Sequence, residues 1–121
     1  MADYLPLFKP GTDLTMAVTA DVVGGQVVEL TGVESVGPAG AASTKWFGVA
    51  GYDAKAGSRV VVYKGGTQRP VASGAVAVGD LVTTAAGGKV VTAATPSVGA
   101  FVGVAVSAAT DGQTVLIDFV R

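Results

Sequence analysis

The nine carboxylates are the residues of this chain most able to do chemistry, because the sequence has neither histidine nor cysteine. Histidine is the commonest general base and metal ligand, and a cysteine thiolate is a common nucleophile. Without them, the simplest catalytic site that the sequence could form is a pair of carboxylates, as in a glycosidase. Glu29 and Asp118 lie in predicted strands, where they could face each other or solvent.

The acidic residues at turns indicate a structural role. Asp53, Asp80 and Asp111 lie beside glycine-containing turns, where an Asp side chain commonly bonds backbone N–H groups. The segment Val76–Val82 faintly resembles lipoyl and biotinyl carrier domains, but no carrier motif surrounds Lys89. We therefore predict no catalytic, cofactor-binding or metal-binding residues, and a scaffold or interaction protein is favoured over an enzyme or a carrier.

Glycine pairs punctuate the apolar segments at three places: Gly24-Gly25, Gly65-Gly66 and Gly87-Gly88. A phosphate-binding loop opens a helix and carries a Lys-Ser/Thr pair, and none of the three does so. They are typical of hairpin turns instead. The pair at 65–66 is predicted to join a strand over Arg59–Lys64 to one over Thr67–Ala72.

Two stretches of the chain look like copies of each other. Val22–Thr31 aligns with Val76–Ala85, and Gly48–Val60 aligns with Gly103–Val115, at an offset of about 54 residues in both cases. Two copies with so long a period indicate a duplicated β unit, since solenoids need about three repeats or more. The approximate repeats are residues 22–63 and 76–118.

The elements that must carry these features are short strands. A chain of 121 residues predicts a single domain, here residues 14–121, preceded by an arm over residues 1–13. Residues 32–43 are predicted to form a loop. The fold class is all-β, a small antiparallel barrel or sandwich with internal duplication and an extended N-terminal arm. The predicted strands are Leu14–Ala20, Gln26–Thr31, Lys45–Ala50, Arg59–Lys64, Thr67–Ala72, Leu81–Thr84, Lys89–Thr92, Ala100–Ser107 and Thr114–Val120.

The arm and an aromatic pair are the candidate partner contacts. Two prolines flank an apolar cluster in the arm, which disfavours a helix or a central strand. The arm either docks on a partner or folds back on its own domain. Trp46 and Phe47 are adjacent, so in a strand they point to opposite sides, one into the core and one to a surface or interface. The candidate contacts are Tyr4, Leu5, Pro6, Leu7, Phe8, Lys9, Pro10, Trp46 and Phe47.

The charge content favours protein partners. Charged residues are 14% of the chain against about 25% in typical domains, and half of the residues are hydrophobic. Part of the surface is therefore expected to be buried against other chains, the alternative being a monomer covered by small side chains. The net charge is −1 with no basic patch, which argues against nucleic acid. No segment resembles a signal peptide or is long and apolar enough for a transmembrane helix, so no membrane partner is expected.

Several segments together resemble the small capsid decoration proteins of tailed phages, especially those infecting actinobacteria. The resemblance covers essentially the whole chain, and this family has no catalytic motif to carry over. The segments that carry it are Ala2–Asp13, Val18–Val28, Val36–Ala50, Lys64–Gly74 and Val78–Val82.

The resemblance implies a cement protein, made in the host cytoplasm and located in the virion at the outer capsid surface. Such a protein binds the head at junctions between major capsid subunits and stabilises it against the packaged DNA. The implied partners are the major capsid protein and further copies of the chain itself, a homotrimer being favoured. The alternative is another structural β protein of the virion, such as a tail or head-completion component.

Overall fold

A computed structural model describes residues 13–120 as an all-β fold, which confirms the predicted class. Within that range there is no α-helix, and a single turn of 3-10 helix spans Val98–Ala100. The predicted arm lies almost wholly outside the described residues. The strands are β1 (Leu14–Val18), β2 (Val27–Gly32), β3 (Ser35–Pro38), β4 (Trp46–Ala50), β5 (Arg59–Tyr63), β6 (Thr67–Gln68), β7 (Leu81–Ala85), β8 (Lys89–Thr92), β9 (Gly103–Ala105) and β10 (Ile117–Phe119).

The first five strands form a closed barrel in the order β1-β3-β2-β4-β5. The barrel closes because β5 pairs back with β1 in antiparallel fashion, with Leu14 opposite Val62. The β1–β3 pair is parallel. Alternate residues of β5 point inward, so Val60 and Val62 are buried while Arg59 and Tyr63 are exposed. The barrel interior is therefore filled by inward-pointing apolar residues from all five strands.

The last five strands form a second sheet in the order β6-β10-β9-β7-β8. Read around the closed barrel from β1 in the opposite direction, the strands run β1-β5-β4-β2-β3, and adding five to each strand number gives the order of the second sheet. A parallel bridge between Ala72 and Val90 stands where Val18 and Val36 pair in the barrel. The second half of the chain therefore repeats the strand order of the first.

Single backbone contacts also recur at the offset of about 54 that the sequence predicts. The antiparallel bridge between Val22 and Ala54 has its counterpart between Val76 and Ala109. Gly25 N–H donates to Ala50 O, and Gly79 N–H donates to Ala105 O, both at 2.8–2.9 Å. The predicted internal duplication is confirmed at the level of individual hydrogen bonds.

Three local predictions were wrong. The pair Gly24-Gly25 does not close a hairpin, because β1 pairs with β3 and β5 whereas β2 pairs with β3 and β4. Residues 32–43, predicted as a loop, contain β3, which pairs with both β1 and β2. The pair Gly65-Gly66 does not close a hairpin, because β5 pairs with β1 and β4 whereas β6 pairs with β10. Both glycines have φ of +65°, and they carry the chain from the barrel to the second sheet. Local turn chemistry could not reveal that the strands on either side have other partners.

One apolar cluster joins the two halves of the fold. Trp46 is 1% exposed and meets the Phe119 ring edge-on, with the ring centroids 5.8 Å apart. Val27 and Val49 of the barrel pack in the same cluster as Val82 of the second sheet. The two repeats therefore share a buried interface, and the first barrel turns one of its outer faces towards the second sheet.

Candidate interaction surfaces

The turn carboxylates serve as hydrogen-bond acceptors for the backbone. Asp80 accepts from Ala77 N–H at 2.9 Å within its own turn, as the sequence indicates. Asp53 and Asp111 instead accept from distant turns, at Gly24 N–H and Gly74 N–H. These hydrogen bonds give the three carboxylates a structural role at the turns.

The two strand carboxylates lie in different sheets. Glu29 is in β2 of the barrel and accepts from Gly40 N–H at 2.9 Å. Asp118 is in β10 of the second sheet, opposite Thr67 and Val104. Nowhere in residues 13–120 do three or more potential metal ligands gather.

Asp21 is the titratable group with the clearest electrostatic environment. Ala56 N–H donates to its Oδ1 at 2.9 Å, and Lys55 Nζ lies 3.6 Å from Oδ2. The backbone hydrogen bond is the largest influence and lowers the pKa of Asp21 below its usual value, and the Lys55 charge lowers it further, against a smaller rise from partial desolvation. The group is exposed, so its contribution to stability is small.

We expect Asp21→Asn to lower the melting temperature slightly at neutral pH and not at all in strong acid. Since the folded pKa is depressed, the carboxylate stabilises the fold fully above its unfolded pKa. That contribution is lost as the pH falls through the folded pKa. Thermal melts of both proteins across the acid range test this, and a difference that does not shrink towards acid contradicts it.

The aromatic pair divides as the strand alternation requires. Trp46 is in the core, whereas Phe47 is half-buried at the surface and packs against the barrel cluster. Lys64 Nζ lies 3.7 Å from the centroid of the Phe47 ring and donates to the Phe47 carbonyl. Of the two, Phe47 has the surface that a partner can reach, and its contact with a partner stays a prediction. Tyr4, Leu5, Pro6, Leu7, Phe8, Lys9 and Pro10 lie outside the described residues.

An apolar groove on the second sheet is a further candidate surface, which the sequence reasoning missed. It has a volume of about 390 Å³ and lies between the start of β7 and the loop that precedes β9. Val98 at its rim is 95% exposed, and Leu81 in its wall is 37% exposed. Solvent exposure of this kind at large apolar residues marks a surface that can bind another molecule. The lining residues are Leu81, Ala94, Thr95, Pro96, Val98 and Phe101.

Comparison with known proteins assigns the chain to a family. The family described as phage cement protein matches residues 8–119, which is nearly the whole chain. The chain belongs to the phage cement protein family. It is therefore a structural protein associated with the phage capsid, located in the virion at the capsid surface.

A solved structure supports the fold of this cement protein. The head fiber gp8.5 N base of bacteriophage phi29 superposes with a TM-score of 0.73 at 24% sequence identity. The alignment covers 89% of this chain and 92% of that one, so both halves of the fold are shared. No curated protein matches the sequence. In residues 13–120 no helix is long and apolar enough to cross a membrane.

Proposed function

We propose that this cement protein binds the outer surface of the head at junctions between major capsid subunits and stabilises the shell there. The observation that carries the proposal is the family match over residues 8–119. The fold agrees with it, because the turn carboxylates are taken up in backbone hydrogen bonds and several large apolar side chains are exposed. The role is structural and not enzymatic.

The binding mechanism has two parts. Residues 4–10 of the arm lie extended on a capsid subunit or on a neighbouring copy, and add a strand to an exposed sheet edge. The β domain forms a homo-oligomer, a trimer, that covers the junction. A capsid offers many identical sites, so an oligomer that engages several together gains avidity from modest contacts. Each subunit then needs only a standard interface, on the order of 800 Å² per partner.

Co-sedimentation with undecorated heads of the source phage tests this function. We expect saturable binding at roughly hundreds of copies per head, because a decoration protein occupies every equivalent site of the lattice. The control uses heads whose decoration sites are already occupied by an unrelated decoration protein. These heads should bind little of this chain. A plateau of only about a dozen copies contradicts capsid decoration and favours a tail or head-completion component, which occupies one vertex.

A further inference from the structure

The apolar groove on the second sheet has a counterpart in the first repeat, and there it is filled. Residue for residue, Leu81 corresponds to Val27 and Phe101 to Trp46, at offsets of 54 and 55. Val27 is 0% exposed and Trp46 is 1% exposed, whereas Leu81 and Phe101 reach solvent. The groove therefore repeats, in the second repeat, a face that the first repeat buries.

The same contrast extends along the whole face. Ala39 and Val49 are buried in the first repeat, and their counterparts Ala93 and Val104 are half-buried in the second. The residue types remain apolar at all four positions although half of them reach solvent. An apolar character kept on an uncovered face indicates that the face takes a partner.

The structure shows what such a face binds, because in the first repeat the β7–β8 hairpin covers it together with Phe119 of β10, whose ring meets Trp46. Gly88 N–H donates to Ala39 O at 2.9 Å, and Val27 N–H donates to Gly88 O at 2.8 Å. Thr84 Oγ1 accepts from Ser43 N–H and donates to Gly40 O. Backbone hydrogen bonds and apolar burial together hold the hairpin on the face.

The hairpin has an uncovered counterpart as well. Shifting the β7–β8 hairpin back by 54 residues gives the β2–β3 hairpin, with Val33 and Glu34 at its tip in place of Gly87 and Gly88. Val33 is 93% exposed. Within each chain, the β7–β8 hairpin is bound to the face of the first repeat. The corresponding β2–β3 hairpin and the corresponding face of the second repeat are both uncovered.

We infer that the uncovered face of one copy binds the β2–β3 hairpin of a second copy, continuing between chains the contact that joins the two repeats within a chain. Such an interface is heterologous, since different patches meet, and it forms a ring where the rotation closes. This inference deepens the oligomer of the proposed function, and it names Val33, Leu81, Val98 and Phe101 as contact residues.

The contact between copies cannot repeat the internal one without a shift. A Cβ atom on Gly88 would lie 2.7 Å from Val27 O and 2.8 Å from Gln26 Cβ, and Glu34 carries a Cβ at the corresponding place. Gln26 is replaced by Asp80 in the second repeat, so the Glu34 carboxylate also approaches a like charge. The contact between chains is therefore weaker than the one within the chain and depends on these two groups.

Sedimentation velocity of single variants tests the inference. Val98→Asp alters the face and Val33→Asp alters the hairpin, and both side chains are so exposed that folding is unaffected. We expect either variant to associate at least about tenfold more weakly, because an unpaired charge is desolvated at the contact. Val23→Asp is the matched control, since Val23 is 55% exposed but lies at the other end of β2 from Val33.

Mixing the two variants separates a heterologous contact from other modes. Each variant keeps one intact patch, so the equimolar mixture should form a 1:1 heterodimer that grows no further. Glu34→Gly should tighten self-association, because it removes both the Cβ and the carboxylate at a residue whose φ is +48°. Weaker association of Glu34→Gly contradicts the inference.

Three further outcomes overturn it. These are a wild-type chain that stays monomeric, association that survives Val98→Asp, and association lost with Val98→Asp but kept with Val33→Asp. The last result would mean that another segment, such as the N-terminal arm, fills the groove. Because no capsid is present in these measurements, binding to heads by a monomeric chain would leave the proposed binding to the capsid standing and would overturn only the oligomer.

Discussion

Gly103→Ala is expected to lower the free energy of unfolding by about 3 kcal/mol or more. A Cβ atom at position 103 would lie 2.1 Å from the Asp118 carbonyl oxygen and 3.0 Å from Ile117 Cγ2. Gly103 in β9 pairs with Phe119 in β10, so the clash falls on the backbone of a paired strand. A carbonyl oxygen held in a ladder cannot rotate away, and β9 and β10 must move apart.

The control for Gly103→Ala is Gly32→Ala. A Cβ atom on Gly32 would meet only the Ser35 side chain, at 3.8 Å, and Gly32 does not have a positive φ. Chemical denaturation should show little change for Gly32→Ala and a markedly lower midpoint for Gly103→Ala. Equal stability of Gly103→Ala and the wild-type chain would mean that β9 and β10 do not approach so closely.

The duplication makes a second copy of this prediction. Gly48 stands at the place of Gly103 in the first repeat, and a Cβ there would lie 2.5 Å from Tyr63 O and 2.7 Å from Val62 Cγ1. Gly48→Ala should therefore also destabilise the chain. The glycine is needed twice because the same close approach of strands is built twice.

Most strands could be predicted from the sequence because valine-rich segments alternate with glycine turns. The β3 strand was missed because its residues, Ser35–Pro38, include a glycine and a proline, which suppress a local strand prediction. The repeat itself could have revealed it, since Lys89–Thr92, shifted back by 54 residues, is Ser35–Pro38. The internal repeat correctly indicates a strand at Ser35–Pro38, whereas the local residue types indicate a loop.

The candidate surfaces were harder to predict than the strands. Val27 and Leu81 are both apolar and occupy corresponding strand positions, yet one is buried and the other reaches solvent. The difference arises only when the second sheet packs on one face of the first barrel, and a pattern along the chain does not encode it. The aromatic pair is a similar case. Strand alternation predicts that one of Trp46 and Phe47 points into the core, but it does not say which of the two.

Deletion of residues 2–10 is expected to abolish binding to undecorated heads and to leave the β domain folded. The pairing of β1 with β5 and β3 starts at Leu14 and lies wholly within the described residues, so we expect it to form without the deleted segment. The deleted segment carries the apolar anchors Tyr4, Leu5, Leu7 and Phe8. Losing several such anchors at every subunit of an oligomer multiplies into a complete loss of avidity.

Two measurements distinguish this loss of binding from trivial causes. Circular dichroism and thermal melting of the truncated chain should match the wild-type protein, which shows that the domain is intact. A full-length variant with serine at the four apolar positions should fail to bind as the deletion does, whereas Lys9→Ala should bind nearly as well as the wild type because a single exposed charge contributes little. Full binding by the folded, truncated chain would instead place the capsid contact on the β domain, where half-buried Phe47 and the groove beside Val98 are among the apolar surface features.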